Sequence, residues 1–409
     1  MKTSQPAPLR YAARLQGMAE SAGVTALLKL AERPEVISFA GGLPDPRTFP
    51  IERFQECAQQ ALREYGSSAL NYGATEGFSP LREWLSQRMR AESGRSCDAE
   101  EIMVTSGGLE ALNLISMALL EPGAPVVVGA PTYLVALHVF RAYQAQIASV
   151  PLDSDGIDPD QLDARLSELE SAGNPARFVY LIPSFQNPSG STLSRDRRQP
   201  VVEICARHGV PLVEDHAYAD LRFEGEHLPS LKELDPENVI FVHTFSKIFS
   251  PGTRLGWIWA DPGLVRVAAT CKLGTDQCAN TLTQRILLDY ASRGWLDEQI
   301  QSSIKTYRAK RDLMSNLLRA KMPPSVSWLE PQGGFFFWLR LPAHIQSDQL
   351  METALKEHNL AVVAGTLFYA DGQGKDHIRL AFSFLQESRF EAGLECLAEL
   401  IKAGSSDSP

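Results

Sequence analysis

Between residues 100 and 260, short apolar runs rich in β-branched residues alternate with longer stretches whose apolar positions recur at helical spacing. The runs at 102–105, 125–129, 177–182, 210–214 and 239–245 predict strands, and another apolar run covers 255–260. Residues 109–120 and 133–143 predict helices between them. Apolar strands hidden on both faces and separated by helices imply a mostly parallel sheet with helices on either side, an α/β architecture. Ligands of such sheets bind beyond the carboxyl ends of the strands.

Past residue 295 the pattern changes. One long helix is predicted over 296–321, ended by Met322-Pro-Pro-Ser325; strands follow at 334–341, 361–364 and 377–382, then a closing helix at 387–402. The expected organisation is an N-terminal arm (1–45), a large domain (46–295) and a smaller α+β C-terminal domain (296–409). The arm carries one helical stretch, 24–31, and packs on the small domain. A chain of 409 residues suits two domains sharing a cleft. Only 403–409 reads as a frayed tail.

Charge and composition narrow the function. At 44% hydrophobic and 22% charged residues this is a soluble globular chain. Its net charge of −10 and lack of a basic patch argue against a nucleic-acid partner. Residues 1–13 hold no signal-like apolar stretch, and no run reaches membrane-spanning length. Cys57, Cys97, Cys205, Cys271, Cys278 and Cys396 form no Cys-x-x-Cys pair and read as reduced thiols of a cytosolic protein. Glu214, Asp215 and His216 have no second cluster to complete a coordination sphere, so no metal site is expected.

The most informative segment is His243-Thr-Phe-Ser-Lys-Ile-Phe-Ser-Pro-Gly-Thr-Arg254. It places Lys247 just past a strand end, between hydroxyls and an arginine that follows a Pro-Gly turn. An amine there can form a Schiff base with a carbonyl cofactor, while Thr244, Ser246 and Arg254 hold a phosphate dianion. Thr105-Ser-Gly-Gly-Leu-Glu-Ala-Leu112 is a strand end, a glycine pair and a helix start, which offers backbone N–H groups to an anion. Arg379 is a charge inside the apolar run Ile378-Arg-Leu-Ala-Phe-Ser383 and requires a partner. Taken singly, Tyr133 also fits a core position, Asn187-Pro-Ser-Gly190 a plain turn and Asp215 a helix N-cap.

In this order, from about Ser38 to Ser383, the segments resemble the fold-type I pyridoxal 5′-phosphate (PLP) aminotransferases of class I/II. The likeness is nearest to the aminoadipate/kynurenine aminotransferase subgroup, which is related to the catalytic half of MocR-type regulators. The resemblance implies that Lys247 carries the cofactor and that Gly108 and Leu109 N–H groups seat its phosphate with Thr244, Ser246 and Arg254. It implies that Tyr133 stacks on the pyridine ring and Asp215 faces the ring nitrogen. Asn187, held by a cis peptide before Pro188, and Tyr218 bond the phenolic oxygen. Arg379 grips the substrate α-carboxylate, and backbone near Gly42 lies beside the substrate. Asn71-Tyr-Gly-Ala-Thr-Glu-Gly77 resembles the segment that crosses to a neighbouring subunit, so Tyr72 reaches the partner's phosphate in a homodimer with shared sites.

The activity implied is ping-pong transfer of an amino group from an L-amino acid to a 2-oxo acid, with Lys247 moving the α-proton. Two alternatives stand beside it: another PLP reaction (decarboxylation, β-elimination or oxidation) and a non-enzymatic ligand-sensing module. The subgroup's distal arginine on the N-terminal helix is replaced here by Thr25. With Val24, Leu28 and Leu43 nearby, that predicts a neutral pocket favouring aliphatic or aromatic amino acids.

Overall fold

The computed structural model describes Ala12, Arg14 and residues 33–406. Along the described residues the strands are β1 (Ile37–Ser38), β2 (Ile102–Thr105), β3 (Pro125–Ala130), β4 (Gln146–Asp153), β5 (Gly156–Ile157), β6 (Phe178–Leu181) and β7 (Leu212–Asp215). They continue with β8 (Val239–Thr244), β9 (Gly256–Trp259), β10 (Ser327–Trp328), β11 (Phe336–Arg340), β12 (Leu360–Ala361), β13 (Val363–Ala364) and β14 (His377–Ala381). The helices that matter for the site are α1 (Ile51–Tyr65), α2 (Ser79–Ser93), α3 (Gly108–Leu119), α4 (Leu134–Ala142), α5 (Pro159–Ser171), α6 (Arg195–Arg207) and α7 (Leu231–Leu234). Beyond these come α8 (Pro262–Leu273), α9 (Thr281–Ser292), α10 (Trp295–Lys321), α11 (Ser347–His358) and α12 (Phe390–Ser406).

Eight strands form one sheet in the order β2-β9-β8-β7-β6-β3-β4-β5. β8, β7, β6, β3 and β4 run parallel, whereas β9 is antiparallel to both of its neighbours. Every residue of β2, β3, β6, β7, β8 and β9 is buried, which explains their continuous apolar texture. Alternate side chains serve opposite layers. Val126, Val128, Phe178 and Tyr180 share a core with Ala136, Leu137 and Phe140 of α4. Val127, Ala148 and Val179 pack instead with Leu162, Leu166, Val201 and Val202 of α5 and α6.

The carboxyl ends of the parallel strands and the start of antiparallel β9 lie on one edge of this sheet. Thr105, Ala130, Asp215 and Thr244 end their strands there, and Arg254 precedes β9 on the same side. The expected mostly parallel α/β sheet is therefore present, with β9 and β5 antiparallel within it, and it gathers the chemistry-bearing residues along one rim.

A second, four-stranded antiparallel sheet has the order β10-β11-β14-β13. The long α10 leads to it, burying Leu296, Ile300, Tyr307, Met314 and Leu318 at helical spacing. Asp297 and Glu298 in its first turn and Arg319 and Lys321 in its last complement the helix dipole. The chain stops being helical at Met322, next to Pro323, a position where proline disfavours helix. β1 pairs in parallel with β12 as a separate two-stranded sheet, and Ala381 N–H donates to the Phe39 carbonyl, so residues 37–39 are tied to the C-terminal part of the chain beside the second sheet.

Three sequence expectations differ in detail. The predicted strand 361–364 is two strands in different sheets, split at Val362. The closing helix begins after a single tight turn, Glu387–Arg389, and runs to Ser406, beyond the end expected for it. The pattern of apolar runs also missed β4, because Gln146, Pro151 and Asp153 are exposed and interrupt it. The predicted helix at 24–31 lies outside the described residues.

Candidate active site

A cavity of about 770 Å³ opens where the rim of the large sheet meets the second sheet. It is lined by twelve of the residues singled out from the sequence: Gly42, Gly108, Leu109, Tyr133, Asn187, Asp215, Tyr218, Thr244, Ser246, Lys247, Arg254 and Arg379. Two others are elsewhere. Tyr72 is 76% exposed and outside the cavity lining, and Thr25 falls outside the described residues.

One end of the cavity is an anion cradle. α3 starts at Gly108, so the N–H groups of Gly108 and Leu109 in its first turn have no acceptor within the helix. Gly107 has a φ of 94°, and a Cβ built there would stand 2.7 Å from Arg254 Nη2. Only glycine allows the guanidinium this close to the helix start. Arg254 Nη2 donates to the Ser106 carbonyl at 3.0 Å, and the Thr244 hydroxyl lies 2.9 Å from that of Ser246.

Ser106 itself is held by a group the sequence did not reveal. Its N–H donates to Glu110, and its hydroxyl donates to Asp276. Both carboxylates pair with the fully buried amine of Lys272, at 2.6 and 2.7 Å. Lys272 sits on amphipathic α8, where the sequence reads like any helix with a solvated lysine.

In mid-cavity, half-buried Lys247 projects its amine onto the Gly42 carbonyl at 2.9 Å. Burial and then the charge of Arg379 lower its pKa to about 8, while Asp215 pulls the other way. Asp215 is buried, and desolvation raises its carboxyl to about 6 against the opposing hydrogen bond from Tyr180. No helix begins at Asp215, which removes the N-cap alternative. Tyr218 and Tyr133 both have phenols raised by burial, Tyr133 to about 12.

At the other end Arg379 leaves β14 between β11 and β13, buried. Nη1 donates to Asn187 Oδ1 at 2.9 Å, and Nη2 donates to the Ala40 carbonyl. Nε has no partner although it is buried. A guanidinium so desolvated calls for an anion, and each terminal nitrogen keeps a second N–H to offer. The aromatic ring of Phe336 lies against it, 4.5 Å from the guanidinium carbon. Gly42 is needed at this spot, since a Cβ there would stand 2.7 Å from Phe336 Cζ. The peptide before Pro188 is cis.

The residues present therefore fit PLP on their own chemistry. An anion cradle, an amine of lowered basicity, a buried carboxylate and a second anion-seeking arginine share one cavity. The sequence missed the walls between them, including Val135, Phe336, Leu367 and Phe384, because apolar residues near a cavity look like core residues. Among the described residues no cluster of His, Cys, Asp or Glu is placed to hold a metal, and no helix is long and apolar enough to cross a membrane.

Comparison with known proteins gives the class. The model of the family "aminotransferase class I and II" matches residues 35–397, and the chain belongs to that family. It is 41% identical to aromatic-amino-acid aminotransferase 1 of Thermococcus litoralis over 92% of this chain and 90% of the relative. A kynurenine aminotransferase from Pyrococcus horikoshii, solved in complex with PMP, superposes with a TM-score of 0.91 and 39% identity, covering 96% and 97% of the two chains. An α-aminoadipate aminotransferase from Thermus thermophilus, complexed with N-(5′-phosphopyridoxyl)-L-leucine, gives 0.87 and 33%, covering 97% and 98%. The protein is a PLP-dependent enzyme with an aminotransferase fold, and it transaminates amino acids with 2-oxo acids as partners. Neither alternative reading is favoured.

Proposed function

We propose that this enzyme transfers the amino group of neutral aliphatic and aromatic L-amino acids, using Lys247 as the cofactor-bearing lysine and proton carrier. The observation that carries this is the shared cavity of Lys247, the cradle at Gly108 and Arg254, and under-partnered Arg379. PLP, when bound, supplies the electron-accepting ring that stabilises charge at the substrate α-carbon. The N–H groups of Gly108 and Leu109, the hydroxyls of Thr244 and Ser246, and Arg254 hold its phosphate. Tyr133 would pack on the ring, Asp215 would face its nitrogen, and Asn187 and Tyr218 would address its phenolic oxygen.

Arg379 binds the α-carboxylate of the amino acid with parallel hydrogen bonds and so fixes the Cα–H bond relative to Lys247. The amine of Lys247, when free and neutral, would act as the base that takes the α-proton and, once protonated, as the acid that gives a proton back. Its lowered basicity keeps a useful neutral fraction near physiological pH. The Gly42 carbonyl, its present acceptor, lies where backbone can guide it.

For the substrate side chain, Leu43, Leu109, Val135, Leu367 and Phe384 present apolar walls. Arg389 also reaches the lining, but it donates to the carbonyls of Pro34 and Glu35. The relatives span aromatic, kynurenine and α-aminoadipate enzymes, so a substrate panel decides the preference. Leucine, methionine and phenylalanine should exceed 2-aminoadipate in kcat/KM, and the reverse order rejects the neutral pocket.

The enzyme acts as a homodimer with shared sites. Leu70, Tyr72 and Leu273 are 71%, 76% and 61% exposed, an apolar display that a second copy would cover. Tyr72 then reaches the partner's phosphate. Mixing Lys247→Ala with Tyr72→Phe subunits should yield hybrid dimers with one unimpaired site and measurable recovery. Verified hybrids without recovery count against sharing. We place the domain boundaries at 46, beyond the segment that pairs with β12, and at 296, in the first turn of α10. All six cysteines are free, in keeping with the cytoplasm, and a net charge of −10 speaks against nucleic acid.

A further inference from the structure

Tyr180 was one apolar-looking residue within a predicted strand. In the structure it is the most direct support of Asp215. Its side chain is fully buried on β6, and its hydroxyl donates to Asp215 Oδ2 at 2.7 Å. β6 and β7 are neighbours with Tyr180 opposite Val213. Asp215 lies two residues beyond Val213, so strand alternation turns it to the same face as Tyr180. The ring is fixed edge-on by Phe140 of α4, with centroids 5.4 Å apart. An ionised carboxylate can only accept hydrogen bonds, and a phenol here can donate only one. The bond therefore selects one carboxylate oxygen and leaves the other for a donor inside the cavity.

We propose that Tyr180 is a positioning residue, which ties down one oxygen of Asp215 so that the other meets the protonated pyridine nitrogen of PLP. This rests on the assignment of Asp215 to that nitrogen. The other charged or titratable groups around the carboxylate cannot take over the task. His216 and Lys247 act through charge without a hydrogen bond to Asp215, while Tyr133 and Tyr218 lie near Tyr180 as further phenols. The backbone at Ala217 also favours the charged carboxylate, but among the described residues Tyr180 alone makes a hydrogen bond to it. Losing the Tyr180 hydroxyl withdraws a stabilising bond from the charged carboxylate, which moves its protonation to higher pH.

The test is cofactor binding to apo-protein rather than turnover. Apo wild type, Tyr180→Phe and Asp215→Asn are titrated with PLP and with its 1-deaza analogue, in which carbon replaces the pyridine nitrogen. Wild type should prefer PLP, and Tyr180→Phe should lose about tenfold of that preference, as expected for one hydrogen bond to a charged group. Its PLP affinity should also fall away at higher pH than in wild type. Fluorotyrosine at position 180, a stronger donor, should move that limb to lower pH, and it serves even if the phenylalanine variant folds poorly. An unchanged preference and an unmoved limb in both variants overturn the role of Tyr180, provided Asp215→Asn loses the preference. If wild type and Asp215→Asn discriminate equally little, the assignment of Asp215 fails and the role of Tyr180 fails with it.

Discussion

Lys247→Ala should fold, bind PLP without a covalent link and lose at least about a thousandfold in transamination, the scale of a general acid–base group. The amine makes one hydrogen bond, to the Gly42 carbonyl, so no packed network depends on it. Burial disfavours its charged form and brings its pKa to about 8. Between that value and the ordinary lysine value the unfolded chain binds more protons than the folded one, so wild-type stability rises with pH across this window. The alanine variant lacks this dependence. Its apo form should therefore melt no lower than wild type below pH 8, with any advantage fading towards alkaline pH. The same shift governs reactivity: covalent capture of PLP by wild-type apo-protein should quicken as pH rises and level off near 8. Capture that keeps rising in proportion to pH up to the ordinary lysine range would show an amine in free solvent.

Asp215→Asn carries the second large effect. The carboxylate lies buried at the end of β7 with Tyr180 bonded to one oxygen. A neutral amide of the same shape keeps the packing but cannot hold a pyridine nitrogen protonated. α-Proton removal should slow by about two to three orders of magnitude, comparable to removal of one preorganised electrostatic group. KM should change far less, because the proposed role of holding the substrate carboxylate falls to Arg379 and not to Asp215. Single-turnover absorbance with a fixed amino acid separates the two quantities. Rates within a few-fold of wild type would reduce Asp215 to a structural residue.

Much of this geometry was legible in the sequence because chemistry and chain breaks coincide. Strands buried on both faces show as unbroken apolar runs, and their ends carry Thr105, Asp215 and Thr244 in plain view. Gly107 marks a positive-φ turn and a close approach of Arg254 that favour glycine. Arg379 was conspicuous as a charge within an apolar strand. What stayed hidden has equally physical causes. β4 alternates exposed and buried positions and contains Pro151, so no apolar run announces it. Lys272 and Tyr180 act on other residues and not on ligand, and one sits in a helix while the other fits a buried strand. Partnerships such as Lys272 with Glu110, or Tyr180 with Asp215, join positions 162 and 35 residues apart, which one sequence cannot pair.

Borohydride reduction of the PLP-loaded protein, followed by peptide mass spectrometry, tests the central assignment most directly. The predicted result is one stoichiometric phosphopyridoxyl group on Lys247, and its disappearance when an amino acid without an acceptor is added before reduction. A label on another lysine, or one that amino acids do not remove, would contradict it.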